Sequence, residues 1–268
     1  MRKLCVIMAA IASLLIPSRI SAQDTRTEER VPSRFSIGIG VGETRSLDTY
    51  LSPVTYSGTS FGLGVWQELP FSSHPGEWRM CFGGEGRFSN MLNPRGNARK
   101  YDADLRIAWG AERMWSIKPV TGSTLWLGAG ADGVIEGGCG YLPRNGNNPA
   151  AARARIGIDI AGSAEWTMYL KGVPLTVGER LSVPTLGIFF SPQYGESYYE
   201  IYLGNRSGLV HTGWWGNTGG VRSHLTVSVR PGKWGVRLGW LCSLQRQNAC
   251  NLRTRLLTNA LTLELVSR

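Results

Sequence analysis

The stretch at residues 154–172, ARIGIDIAGSAEWTMYLKG, decides how the rest of the chain is read. Ile156, Ile158, Ile160, Ala164, Trp166, Met168 and Leu170 share one parity; Arg155, Asp159, Ser163, Glu165, Thr167 and Tyr169 share the other. A period of two marks a β-strand with two unlike faces. The run is also long. Strands in soluble proteins average ~5–6 residues, whereas one tilted across a bilayer needs ~9–11.

Working outward, the same alternation recurs in ten segments, at about 34–44, 59–70, 78–91, 101–115, 123–136, 154–171, 173–191, 220–230, 233–244 and 251–266. Tyr101, Ala103, Leu105, Ile107 and Trp109 oppose Asp102, Asp104, Arg106 and Glu112. Trp234, Val236, Leu238 and Trp240 oppose Arg237 and Gly239. In a soluble barrel the apolar face lines the interior; in a membrane barrel it meets lipid and the polar face lines the lumen. Segment length favours the second arrangement. The connections agree, short at 71–77, 116–123, Gly172 and 230–233, mostly longer at 45–58, 92–100, 137–153 and 192–219. Outer-membrane barrels show this asymmetry between periplasmic turns and external loops. The expected fold is therefore all-β: a single transmembrane antiparallel up-and-down β-barrel of about ten strands, within a range of 8–12, over residues 34–268. An even strand number puts both termini on the periplasmic side. A soluble β-protein is the alternative.

Composition and the N-terminus bear on location. Gly is abundant at 35 of 268 residues, Trp reaches 10, and only 18% of residues are charged. Glycine suits bends and close approaches, and tryptophan suits membrane interfaces. The start, MRKLCVIMAAIASLLIPSRISAQ, has a basic end, an apolar core over 4–17 and a small-residue finish. It reads as a signal peptide, residues 1–22, cleaved after Ala22. Removing Arg2, Lys3 and Arg19 takes the net charge from +10 to +7, since 10 − 3 = 7. Residues 23–33 form a polar periplasmic lead, and the barrel is expected in the outer membrane.

Three phrases, LSPVTYSGTSFGLGV at 51–65, YLGNRSGLVH at 202–211 and NLRTRLLTNALTLELV at 251–266, resemble an uncharacterised family of outer-membrane proteins, domain of unknown function 3316. The resemblance spans most of the chain after the leader. It implies an exported β-barrel and supplies no catalytic residues to carry over.

Candidate chemistry is sparse. The three histidines, His74, His211 and His224, lack metal-ligand spacing to one another or to cysteines, so neither metal nor cofactor is expected. A lipid hydrolase needs a base that reaches its nucleophile; His224 faces inward and Ser223 outward, leaving His211 with Ser207. An omptin-like protease would set His211 over Asp102 and Asp104. A lumen charge network is expected to include Asp102, Asp104, Arg106, Asp132, Asp159, Glu165 and Arg237, with Glu85, Arg87, Glu112, Glu136 and Arg155. An external basic belt of Arg95, Arg99, Lys100, Arg144, Arg153, Arg206, Arg246 and Arg253, with Arg155, Arg222 and Arg255, lies in segments free of Asp and Glu. It suits the phosphates of lipopolysaccharide, because Arg grips phosphate bidentately. Tyr194, Tyr198, Tyr199, Tyr202, Trp214 and Trp215 crowd the fourth loop, as an interfacial girdle or a sugar-stacking surface. A Cys242–Cys250 disulfide would clip the last hairpin and set Trp240 against Leu252 and Val236 against Leu256, all outward. Cys81 and Cys139 belong to opposite ends of the barrel. The expected function is non-enzymatic, structural or surface-binding, with outer-membrane lipid, lipopolysaccharide and the barrel assembly machinery as partners and no nucleic acid. A small diffusion channel and an outer-membrane enzyme are the alternatives; the sequence leaves the oligomeric state open.

Overall fold

The computed structural model describes residues 33–71, 78–146, 148–205 and 207–267. The leader 1–22, residues 23–32 of the lead, the turn around His74, and Arg206 lie outside the described residues. The strands are β1 Arg34–Asp48, β2 Ser52–Pro70, β3 Trp78–Leu92, β4 Arg99–Ile117, β5 Ser123–Tyr141, β6 Ala150–Leu170, β7 Val173–Phe190, β8 Val210–Gly213, β9 Thr218–Val229, β10 Trp234–Ala249 and β11 Leu252–Ser267; one short helix, α1, spans Tyr198–Tyr202.

From β1 to β8 and from β9 to β11 each strand pairs antiparallel with the next, β9 pairs with β7, and β1 pairs with β11 to close the ring. The short β8 takes the far end of β7, through Phe190 opposite Val210, while β9 takes the near end, through Leu175 opposite Val229. Together they make one broken stave, so the barrel has ten, as the sequence leads one to expect. Closure of the ring lets the strands satisfy their backbone polar groups inside hydrocarbon; a gap remains at the broken stave, where β8 pairs with β7 alone. Among the described residues no helix is long and apolar enough to cross a membrane; crossing falls to the strands.

The faces settle which medium lies where. Ile156, Ile158 and Ile160 are 53%, 53% and 56% exposed, while Arg155, Asp159 and Glu165 on the same strand are 5%, 2% and 8% exposed. Apolar side chains point outward and charged ones inward, the inverse of a soluble barrel. The soluble alternative is thereby excluded. Glycine makes the charged interior fit: Gly110 stands opposite Asp132, and Gly138 opposite Asp104, across β4 and β5. A Cβ at either position would collide with the facing carboxylate. These glycines hold space that the acids fill, rather than an open bore.

Two tight turns pin the register. Lys171 and Gly172 (φ 50° and 81°) join β6 to β7, and Cys250 and Asn251 (φ 49° and 63°) join β10 to β11. Two-residue turns with both central φ positive match the twist of paired strands. In the β6–β7 ladder the register shifts between Ile158 and Asp159 of β6, leaving Thr185 of β7 as an extra residue. Its hydroxyl donates to the Ile158 carbonyl at 2.6 Å. The bulge accommodates Pro184, which cannot donate to a ladder.

Candidate functional site

The lumen is crossed by arginines. Toward the end bearing the chain termini, Arg79 reaches Glu112 at 2.7 Å, Ser163 at 2.8 Å and Glu68 at 3.1 Å, and also holds Glu165. Arg34 shares Glu165, and Arg180 bridges Glu112 to Asp132, the latter at 2.8 and 2.9 Å. Midway, Arg222 grips Glu85 with both guanidinium nitrogens at 2.7 and 2.6 Å. Arg106 joins Glu136 to Asp159, both at 3.2 Å, and Arg155 reaches the same two acids. Arg237 meets Glu264 at 3.2 Å, and Arg87 lies 3.9 Å from Glu85. Ion pairs out of water hold when each charge keeps its partners, and removing one partner is costly.

Arg34, Glu68, Arg79, Arg180, Arg222 and Glu264 complete this network without having stood out from the sequence as part of it. In β7 the adjacent Glu179 and Arg180 put charge on both parities, so neither face looked polar. Glu179 in fact faces outward, where Ser223 donates to it at 2.6 Å. His224 faces inward, 3.0 Å from the Thr262 hydroxyl. The pair Ser223–His224 is divided by the wall.

The distal mouth is capped. The tip of the β1–β2 turn folds inward so that Leu51 packs with Tyr56, Met91, Leu142 and Ala151. Asn145 donates to the Leu51 carbonyl at 3.2 Å. Tyr50 donates to the Glu196 carbonyl at 2.9 Å and meets the Tyr198 ring edge-on at 5.4 Å. Burial, with Tyr198, Glu196 and Asp48 beside it, pushes the Tyr50 phenol up to about 12. Tyr198 belongs to α1, whose start is fixed by a capping box: Ser197 accepts from the Glu200 amide and Glu200 accepts from the Ser197 amide. Those bonds hold the exposed Glu200 carboxyl below its usual range.

Beneath this lid lie several residues assigned from sequence to other roles. Lys100 is 1% exposed, donates to Ser46 at 2.7 Å and pairs with Asp102 at 3.3 Å. Arg153 binds Asp104 at 2.8 Å and lies 3.7 Å from both Asp102 and Asp48. Both basic residues point inward, so they leave the external belt, as do Arg155 and Arg222. Their arginine-rich segments resembled loops, but the strands continue through them. Asp102 is fully buried beneath Leu51 and Asp104 is held by Arg153, so the two do not form a protease-like cleft with His211. His211 instead stacks on Phe189, with ring centroids 5.4 Å apart, and lies 3.2 Å from the Ser191 carbonyl oxygen.

The outer wall at the distal rim keeps Arg95, Arg99, Arg144, Arg246, Arg253 and Arg255. Arg246 stands directly opposite Arg255 in the β10–β11 ladder, and Asn248 opposite Arg253. Buried Arg246 Nε and Asn248 Oδ1 have no hydrogen-bond partner among the described residues. Trp215 lies beside them, donating to the Pro184 carbonyl at 2.9 Å, while Tyr194, Tyr199, Tyr202 and Trp214 are exposed. The Cys242–Cys250 disulfide does not form: Cys242 pairs with Asn259, and Cys250 sits in the turn, both with free thiols. Eight residues of strand at ~3.3 Å each separate them by roughly 26 Å, far beyond the ~7 Å a disulfide allows. The register is accordingly different, with Trp240 opposite Leu261 and Val236 opposite Leu265, and Leu252 and Leu256 buried inside the mouth.

Among solved structures, the chain is similar to the transport unit of the autotransporter AIDA-I from Escherichia coli, at 9% identity over 96% of each chain with a TM-score of 0.47. It is also similar to an outer membrane channel from Pseudomonas putida F1, at 11% identity over 92% of this chain and 99% of that one, with a TM-score of 0.31. No curated protein matches it. The family model for a protein of unknown function, DUF3316, matches residues 4–268, and the chain belongs to that family.

Proposed function

We propose that this chain is an outer-membrane barrel with a closed interior, exported behind a cleaved leader and inserted by the barrel assembly machinery. Its work is non-enzymatic and lies at the external rim, where arginines bind the phosphates of lipopolysaccharide. The observation that carries this reading is the Arg246–Arg255 pair. Like charges directly opposite on a sheet destabilise it. Here no carboxylate among the described residues lies within ion-pair distance of either. Arg253 adds a third cation on the same wall. Such a constellation is relieved by an anion held between the guanidinium groups, and phosphate fits their planar donors. The exposed tyrosines and tryptophans of the fourth loop suit the sugars attached to those phosphates.

A diffusion channel is the weaker reading, because Leu51 plugs the mouth, the Glu85–Arg222 pair crosses the lumen, and Gln245 reaches across it to Glu136. The test is binding of lipid A by the barrel in nanodiscs. The triple variant Arg246→Ala, Arg253→Ala, Arg255→Ala is expected to lose at least about tenfold in affinity, equivalent to ~1.4 kcal/mol. Dephosphorylated lipid A is expected to bind wild type and variant alike. Equal affinity of both proteins for the phosphorylated lipid rejects the proposal.

A further inference from the structure

The tip of the β10–β11 hairpin carries chemistry that phosphate binding does not use. Cys250 occupies the first central position of a turn whose two residues both have positive φ, at 49° and 63°. Asn and Gly are the residues that such turns favour, because a Cβ is poorly tolerated there. A cysteine is therefore not placed there by the needs of the turn. Its thiol is exposed, and its sulfur lies 3.8 Å from Nε2 of His211 on β8. The imidazole is held from two sides. It stacks on buried Phe189, and Nε2 is 3.2 Å from the Ser191 carbonyl oxygen. A carbonyl only accepts, so that contact assigns the proton to Nε2. That one N–H is then shared between the carbonyl oxygen and the sulfur.

We propose that Cys250 and His211 form a thiol–imidazole site that exchanges with disulfides reaching the distal rim. The thiolate is the nucleophile in such exchange. Cys250 releases its proton to water, and the thiolate is stabilised by the Nε2–H of His211. It attacks one sulfur of the incoming disulfide. A new S–S bond forms to Cys250, the original S–S bond breaks, and the departing thiolate takes up a proton. Cys250 is oxidised and the leaving sulfur reduced, so electrons balance with the disulfide as the sole co-reactant. The product is a mixed disulfide at the hairpin tip, a stoichiometric modification rather than a turnover.

The other described cysteines supply the controls. Cys81 is buried in the lumen against Arg180, Cys242 sits on the wall of β10, and Cys139 is exposed at the rim of β5. Among the described residues, Cys139 has no histidine bonded to it.

The full barrel in detergent is mixed with 5,5′-dithiobis(2-nitrobenzoate), an aromatic disulfide, and each adduct is located by peptide mass spectrometry. Cys250 is expected to react at least tenfold faster than Cys139. His211→Ala is expected to bring Cys250 down to the rate of Cys139. His211→Gln, which keeps an N–H donor, is expected to retain an intermediate rate. Equal rates at Cys250 and Cys139 in the wild type overturn the proposal. So does an unchanged Cys250 rate in a His211→Ala protein whose β-sheet circular dichroism matches the wild type. If His211→Ala does not fold, the wild-type comparison with Cys139 decides alone.

Discussion

Arg79 shows what a single residue does in this interior. The residue is 2% exposed, and its guanidinium is shared among Glu68, Glu112, Glu165 and Ser163. Arg79→Ala strips Glu112 and Glu165 of a partner without removing their charge. A loss of roughly 3 kcal/mol is expected, the lower range for breaking a buried ion pair, read from urea unfolding of the barrel in lipid vesicles. Arg95→Ala, in an exposed turn, is expected to change stability by less than about 0.5 kcal/mol. Tyr50 gives a pH signature of the lid. Its phenol titrates near 12 rather than 10 because the folded lid favours the protonated form. Its contribution to lid closure is therefore complete below pH 10 and is lost as pH rises through about 12. Spectrophotometric titration at 295 nm of wild type minus Tyr50→Phe is expected to show one phenolate step near pH 12; a step near 10 means the lid does not bury Tyr50.

At the scale of the element, β11 explains how far the sequence could be read. Leu261, Leu263 and Leu265 face outward and Glu264 inward, so hydrophobicity assigns the face correctly along the membrane-level half. Above Leu257 the rule inverts: Leu252 and Leu256 are buried inside, while Arg253 is exposed outside. The cause is the medium. Once the wall rises past lipid, its outer face meets water and its inner face meets the apolar lid of Leu51, Tyr56 and Met91. A pattern that alternates cannot say where that change occurs, so Lys100 and Arg153 were placed on the rim and Leu252 on the wall. The ten staves and the inward acids were legible because period two needs no knowledge of the surroundings. The Arg246–Arg255 juxtaposition was not, since it depends on register, and register depends on a two-residue turn at Cys250–Asn251 that lacks the usual glycine. This register is checkable. Protein purified without reductant is expected to yield no Cys242–Cys250 cross-link in a non-reducing peptide map. Cysteines introduced in place of Trp240 and Leu261 are expected to cross-link across the outer face; cross-linking of Trp240→Cys with Leu252→Cys instead would move the hairpin by nine residues.

For the whole molecule, the sealed lid and the crossed lumen act in series, and that arrangement predicts electrical behaviour. Burying Leu51 in the mouth contributes about 1.5–3 kcal/mol toward keeping the lid shut. Below it, the Glu85–Arg222 pair spans the bore at mid-height, and Gln245 reaches across to Glu136, which Arg106 and Arg155 hold on the opposite wall. Opening either barrier leaves the other in place. The wild-type barrel in planar bilayers is therefore expected to show no steady conductance. Leu51→Gly combined with deletion of residues 194–205 removes the apolar plug and α1, and is expected to remain silent. Adding Glu85→Ala with Arg222→Ala takes out both members of the septum pair together, which avoids leaving an unpaired charge in the lumen. That combination is expected to produce discrete ionic steps. Steady conductance from the wild type refutes the closed interior, and steps from the lid deletion alone show that the ion-pair layer is wet enough to pass ions without help.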